Sequence, residues 1–257
     1  MKTFNVEYFT DPLCCWSWAF EPQFRKLRFL LKDRLRYRYR MSGMLITWKQ
    51  YSDPFNDISC ASQMGPLWMQ AKHYSGQPLD TSIWVDNPVD TSLTACLAVK
   101  AAELQGRIAG EAMLRKLREA VMMHKRNIGQ TQVLLEIAEE LEETGVLKFQ
   151  EFKKDLSAPK TSTTLREDME LVRIKSISRF PTLLVSTSQK TLQITGYRPF
   201  EVLSDTFRLL DPDLDLSARI DEEEYKSSWE SLTKRELEEI RESPKKACTS
   251  EIASAFS

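Results

Sequence analysis

Two adjacent cysteines are the side chains of this 257-residue sequence best placed for chemistry. Cys14 and Cys15 follow Asp11-Pro12, which ends an alternating apolar segment, and they precede a segment with helical apolar spacing. A thiol on the first turn of a helix lies near unpaired N–H groups and the positive end of the helix dipole, and both favour the thiolate. The sequence therefore predicts a lowered pKa for the Cys14 thiol and a nucleophilic role for Cys14.

The other candidate side chains favour structural roles. Cys60 and Cys96 lie in or beside predicted helices, where a free cysteine usually packs as a small apolar residue, and Cys248 lies in the C-terminal tail. The two histidines, His73 and His124, have no metal-ligand spacing to cysteines or carboxylates. No glycine-rich phosphate loop and no G-x-S-x-G motif occurs. We therefore predict no metal site and no tightly bound cofactor.

Composition and charge argue against several classes of partner. The 36 basic and 37 acidic residues leave a formal charge of -1, so no global field attracts a nucleic-acid backbone or an anionic membrane. No apolar run approaches the ~18 residues of a membrane span, and Glu7 and Asp11 interrupt the segment that a secretory signal would need. Five cysteines are an odd count, which suits free thiols in a reducing compartment. We predict a cytoplasmic protein with no nucleic-acid or membrane partner.

Alternating and helical periods predict a β/α sheet around the cysteine turn. Phe4 to Tyr8 alternates as a strand, Phe20 to Leu31 has helical spacing, and Leu35 to Met41 alternates again with arginines on one face. This order predicts a right-handed βαβ unit with parallel strands. We interpret the arginine face as a solvated strand edge or as partners for local carboxylates.

The strand pattern then disappears and returns. From Ser62 to Thr164 only helical spacing occurs, whereas Thr182 to Val185 and Leu192 to Thr195 flank a polar turn and predict an antiparallel hairpin. We expect the small amphipathic helices of the charged C-terminal region to pack against the main domain. The predicted organisation has four segments: the first part of a β/α domain at 1–61, a helical insertion at 62–164, the second part of the domain at 165–212, and a helical extension at 213–257.

Four separated motifs resemble the DsbA-like branch of the thioredoxin superfamily, and within it the FrnE-type dithiol-disulfide isomerases. They are, in chain order, the D-P-x-C-x-W turn ending at Trp16, Gly65-Pro66-Leu67-Trp68 with Asn127-Ile128-Gly129, Arg179-Phe180-Pro181-Thr182, and Ile194-Thr195-Gly196 with Pro199. The resemblance covers about Met1 to Leu210. It implies an α/β thioredoxin-like fold with an inserted helical domain.

The resemblance also implies roles for individual residues. Cys14 is the attacking thiol, and Pro181 is the cis proline that lies against it and exposes backbone for a substrate chain. Aromatic and methionine residues near the turn are interpreted chiefly as core, with an apolar cleft beside Cys14 as the alternative. The implied substrate-binding residues are Trp16, Trp18, Phe180 and Thr182.

One position departs from the family pattern. The dithiol motif would place its second cysteine at position 17, where this sequence has Ser17. Cys15 is a candidate auxiliary thiol, but neighbouring Cα atoms are ~3.8 Å apart, below the ~4.4 Å lower end for relaxed disulfides, so a bridge to Cys14 is strained. A lone nucleophile still exchanges disulfides when an external thiol such as glutathione resolves the mixed disulfide.

Three functions follow. We favour an enzyme, a thiol-disulfide oxidoreductase or isomerase that uses Cys14 alone, with Ser17 hydrogen-bonded to its sulfur and a thiol- or disulfide-containing protein or small molecule as its partner. The second is a glutathione-dependent enzyme of the kappa transferase or 2-hydroxychromene-2-carboxylate isomerase type, which has the same fold without the redox pair. The third is a non-catalytic cytosolic adaptor.

Overall fold

A four-stranded mixed sheet organises the computed structural model, which describes residues 2–241. Its strands are β1 (Phe4–Thr10), β2 (Leu35–Met41), β3 (Thr182–Ser186) and β4 (Thr191–Thr195), in the order β2-β1-β3-β4. β1 pairs parallel with β2 and antiparallel with β3, and β3 forms an antiparallel hairpin with β4. The thioredoxin-like fold class is confirmed, because the strand that returns late in the chain pairs with the first strand.

Helices connect and surround these strands. They are α1 (Cys15–Ala19), α2 (Glu21–Leu31), α3 (Met64–Ser75), α4 (Ile83–Asp86), α5 (Leu93–Glu103), α6 (Arg107–Met123), α7 (Thr131–Glu143), α8 (Phe149–Leu156), α9 (Pro159–Ile174), α10 (Phe200–Leu210), α11 (Glu222–Ser227) and α12 (Lys234–Arg241). α3 to α9 all lie between β2 and β3. The predicted boundary after residue 164 falls inside α9, which is continuous, and the division into segments stays a prediction.

An apolar stripe of α2 covers one face of the sheet. Pro22 stands in the first turn of the helix, where its missing N–H removes no helical hydrogen bond. Phe24 is fully buried, and its ring meets Tyr8 of β1 edge-to-face at 4.8 Å. The opposite face of β2 carries the arginines, of which Arg40 pairs with Glu7 at 2.7 Å and the others are exposed. Alternation along the strand thus separates core from solvent as its pattern predicts.

The C-terminal region packs on α2 and α6 through buried charges. Glu236 of α12 is fully buried, and its carboxylate accepts two hydrogen bonds from Arg115, at 2.7 and 3.0 Å. The Trp229 ring lies 4.5 Å from the Arg25 guanidinium. The expected packing of the extension is therefore confirmed as far as Arg241, whereas Cys248 and a predicted last helix lie outside the described residues. Within residues 2–241 no helix combines the length and apolarity needed to cross a membrane.

Candidate functional site

The cysteine turn connects β1 to α1 and is held in place by a buried carboxylate. Cys14 is the N-cap of α1, and the Ser17 N–H donates to its sulfur at 3.4 Å. Asp11 is fully buried; its Oδ1 accepts from the Leu13 N–H at 2.9 Å and its Oδ2 from the Met44 N–H at 2.7 Å. Because these bonds join the turn to the loop after β2, they fix the position of Cys14 against both segments.

The loop before β3 meets the turn from the other side. The Phe180-Pro181 peptide bond is cis, and the Cys14 thiol donates to the Phe180 carbonyl oxygen at 3.6 Å. The expectation that this bond is cis and lies beside Cys14 is confirmed. The Phe180 N–H has no hydrogen-bond acceptor among residues 2–241. Backbone next to Cys14 is thus open to a bound chain.

Burial sets the proton affinity of both cysteines. Cys14 is 5% exposed, and burial raises the pKa of its thiol; the Ser17 hydroxyl and N–H act in the opposite direction, and the Asp11 charge raises the pKa further. Burial also raises the pKa of Cys15, which packs into the core, well above its usual range. The predicted lowering at Cys14 is wrong, because α1 has only five residues and desolvation outweighs its few helix-end groups.

The predicted site residues fall into two groups. Cys14, Cys15, Trp16 and Phe180 line a cleft of about 820 Å³. The other four do not reach its surface, and the reasons differ. Ser17 is fully buried beneath Cys14, and Pro181 lies buried behind Phe180. Trp18 is a core residue, and its indole N–H donates to the Pro78 carbonyl oxygen at 2.8 Å. The Thr182 hydroxyl donates to the Arg179 carbonyl oxygen at 2.7 Å and so closes the loop before β3.

Aromatic rings from distant parts of the chain complete the cleft wall. The Trp16 ring centroid lies 6.2 Å from that of Tyr74 on α3 and 6.1 Å from that of Tyr197 after β4. Tyr51 and Phe55 add the wall that follows β2, and Phe55 is 85% exposed. Sequence reasoning identified Trp16 but missed the four other rings, Tyr51, Phe55, Tyr74 and Tyr197. Their only signal in the sequence is aromatic character, and only the fold brings them close to Cys14.

The other two cysteines within the described residues differ in burial. Cys96 is fully buried, as predicted, and its thiol donates to the Asp11 carboxylate at 3.4 Å. Cys60 is exposed, so its predicted packing role is wrong: it caps a short 3₁₀ turn at the surface. No group of three or more His, Cys, Asp or Glu side chains within residues 2–241 has the arrangement of a metal site.

We expect iodoacetamide at pH 7 to modify Cys60 at least about tenfold faster than Cys14, because the Cys60 side chain is exposed whereas Cys14 is buried with a raised pKa. Since the pKa of Cys14 is raised, its thiolate fraction and alkylation rate should still increase beyond about pH 9. Peptide mass spectrometry of samples quenched between pH 6 and 10 measures both rates, with Cys96 as the buried reference. Faster labelling of Cys14 than of Cys60 at pH 6 would contradict the raised pKa.

A thioredoxin-like sheet, a cysteine turn at the start of a helix and a cis proline facing it define the fold of the thiol-disulfide oxidoreductases. A family model described as Thioredoxin matches residues 8–205, and the chain belongs to this family. The finer FrnE-type assignment stays a prediction.

Individual relatives are similar over most of the chain. It is 30% identical over 204 residues to the ClpXP adapter protein SpxH of Halalkalibacterium halodurans, covering 78% of the chain and 65% of that protein. It is 32% identical over 209 residues to the ClpXP adapter protein SpxH of Bacillus subtilis, covering 79% and 66%. The chain thus spans slightly less than two thirds of the length of each of these two relatives. The cytosolic disulfide reductase DsbM from Pseudomonas aeruginosa shares the fold, with a TM-score of 0.59 and 21% identity over 81% of this chain and 93% of that one.

Proposed function

We propose that this chain is a protein-binding adaptor of the thioredoxin family, which holds an extended partner segment in the cleft beside Cys14 and presents that partner to a ClpXP-type protease. The observation that carries the proposal is an open aromatic cleft of about 820 Å³ built over a buried thiol, and burial raises the pKa of that thiol. Two relatives at 30% and 32% identity are named as ClpXP adapters, which supports this assignment.

Open backbone suits the cleft to an extended chain. A partner carbonyl can accept from the Phe180 N–H, which no residue in the described range 2–241 accepts from, as in the β-augmentation mode of peptide recognition. Side chains of the partner would then stack on the rings of Trp16 and Tyr197, which face the same cleft. Aromatic side chains give large apolar contact areas with little conformational entropy to lose, and they often dominate binding energy.

The chemistry of Cys14 favours binding over reaction. The protonated thiol is a hydrogen-bond donor, and it already donates to the Phe180 carbonyl oxygen. A thiol is a weak nucleophile until it ionises, and burial opposes that ionisation. Position 17 carries a serine, so no neighbouring thiol at that position can resolve a mixed disulfide. The cleft thus has the form of a substrate site of this family, but Cys14 and Ser17 are poorly suited to a cycle of disulfide formation and reduction.

Degradation assays test the adaptor directly. In lysate from a strain that lacks this protein, supplemented with purified ClpXP and ATP, we expect the wild-type chain to shorten the half-lives of a small set of proteins. Phe55→Ala should remove most of this effect, because Phe55 is an exposed ring of the cleft wall. Val85→Ala is the matched control, since Val85 is similarly exposed, at 81%, but does not line the cleft. Quantitative mass spectrometry over time measures the half-lives.

The proposal would be abandoned if the wild-type chain changes no half-life while the same ClpXP preparation degrades a direct substrate normally. Equal losses of activity in Phe55→Ala and Val85→Ala would also contradict a role for the cleft.

The contact between Cys14 and the cis-proline loop supports a second candidate, thiol-disulfide exchange by a single cysteine. The Cys14 thiolate would attack a substrate disulfide, form a mixed disulfide and release the other substrate sulfur as a thiol. A glutathione thiolate, as co-substrate, would then attack the substrate sulfur of that bond, which regenerates Cys14 and leaves a glutathione-substrate disulfide. The raised pKa limits the rate of the first step. A stable glutathione adduct at Cys14 after incubation with glutathione disulfide would support this candidate.

A further inference from the structure

We infer that the partner segment bound in the cleft carries a carboxylate next to the residue that lies over Cys14, and that Arg179 and Arg198 recognise this carboxylate. The inference rests on the proposed adaptor function and specifies the chemistry of its partner.

Both arginines stand beside backbone that a bound segment would follow. Arg179 directly precedes Phe180, whose N–H is open, and Arg198 follows Tyr197 at the end of the hairpin. They are the two cationic side chains among the residues that line the cleft in the described part of the chain. Burial, and after it the charge of Arg179, lowers the pKa of the Arg198 guanidinium, in agreement with the position of both side chains in the cleft lining.

The Arg179 guanidinium is held at the cleft by an aromatic ring and has no carboxylate partner within residues 2–241. It lies over the Phe55 ring, 5.3 Å from the centroid. No carboxylate of residues 2–241 forms an ion pair with it. A cation resting on an aromatic ring keeps its full charge and its hydrogen-bond donors. Arg179 can therefore bind an anionic group in a bidentate manner with no internal bond to break.

The acid that lines this cleft in the described structure does not compensate the charge of Arg179. The Asp53 Oδ1 atom accepts from the Phe55 and Asn56 N–H groups, at 3.2 Å each, and Oδ2 accepts from the Asn56 side-chain amide at 2.6 Å. These bonds stabilise the turn that carries Phe55. The Asp53 carboxylate is thus engaged within its own loop, and the arginine charge stays available.

Arg179 is exposed and Arg198 is half-buried. Exposed arginines are often merely solvated, so the assignment of Arg179 depends on its position in the cleft. A carboxylate beside Arg179 gains charge-assisted hydrogen bonds, and the positive charge of Arg198 at the same cleft adds to the attraction. Their neighbours are the aromatic wall and the open Phe180 N–H. This combination fits an extended peptide with an aromatic or apolar residue over Cys14 and a glutamate or aspartate beside it.

Peptides with a single variable charge test the inference. We would measure, by fluorescence anisotropy, the binding of labelled extended octapeptides with a constant apolar centre and flanking Glu, Gln or Lys. The wild-type chain should bind the Glu-flanked peptide at least about tenfold tighter than the Gln-flanked one, and this advantage should shrink in about 0.5 M NaCl because the arginines are solvent-accessible. Arg179→Gln should remove the preference for Glu. Arg173→Gln is the matched control, since Arg173 is exposed on α9 and pairs with Glu170.

The outcomes separate this inference from the proposed function. Equal affinities for the Glu-, Gln- and Lys-flanked peptides would overturn the inference and leave the adaptor intact. If no peptide of any charge binds, the cleft is not a peptide site and the proposed function itself fails. Arginine-dependent binding of free glutathione without binding of any peptide would assign the two arginines to a small ligand and also overturn the inference. A charge-reversed Arg179→Glu chain that prefers Lys-flanked peptides would support it directly.

Discussion

Glu236→Gln is expected to lower the free energy of unfolding by about 3–5 kcal/mol, the usual cost of removing one partner from a buried ion pair. Glu236 is fully buried and faces two cations: Arg115 binds it through both terminal guanidinium nitrogens, Nη1 and Nη2, and Arg25 approaches to 3.5 Å. The carboxylate also accepts from the Thr233 N–H at 2.7 Å. The neutral amide removes one carboxylate partner from each of the two buried guanidiniums. Its NH₂ group is also a hydrogen-bond donor, and it would face the guanidinium N–H groups, which are donors themselves. Urea unfolding followed by circular dichroism measures the change.

Glu238→Gln is the matched control on the same helix. The Glu238 side chain is 40% exposed, and its partner Lys234, at 3.4 Å, is 92% exposed. Exposed pairs of this kind contribute little, so we expect a change below about 0.5 kcal/mol. Similar effects of the two substitutions would show that α12 does not form part of the cooperative fold. The expected difference would establish that the region after Asp213 stabilises α2, the helix that follows the cysteine turn.

Ser17→Cys is expected to create a disulfide with Cys14 and to raise disulfide reductase activity toward insulin by about 100-fold or more over the wild-type chain. Ser17 lies one helical turn after Cys14, and its N–H is 3.4 Å from the Cys14 sulfur, so the two Cβ atoms face the same side. A second thiol at this position resolves mixed disulfides intramolecularly, and well-oriented intramolecular steps have very high effective molarities. The rate of insulin precipitation with dithiothreitol and thiol counting after oxidation measure both effects.

The double variant Cys14→Ser/Ser17→Cys is the control, because it keeps the new thiol and removes its partner. We expect it to be as inactive as the wild-type chain. An active wild-type chain would show that Cys14 needs no resolving thiol and would favour the single-cysteine exchange candidate over the adaptor. Failure of Ser17→Cys to form the disulfide would show that the buried turn cannot reorganise around a second sulfur.

Local periodicity was sufficient for the framework that carries the site. Alternation at Phe4 to Tyr8 and at Leu35 to Met41 identified the first two strands within a few residues of their observed bounds. The cysteine turn followed from its position between a strand and a helical stripe, and the late hairpin from two short runs of β character around a polar turn. Each of these features depends on neighbours only a few residues away, so the sequence encodes them directly.

The sequence by itself therefore determined the sheet, the turn and the family resemblance, while the tertiary structure decided what the turn can do. Helix-end effects at Cys14 are local and predicted a lower pKa, but the desolvation that raises the pKa comes from segments packed over the thiol. The cleft joins Trp16 to Tyr74 and Tyr197, and the charges around Glu236 meet only after α12 docks on α2. Burial depends on every segment that covers a group, whereas periodicity depends on neighbours along the chain. A short sequence pattern therefore identifies a thiol as a candidate nucleophile, but the tertiary structure determines the burial and hence the pKa of that thiol.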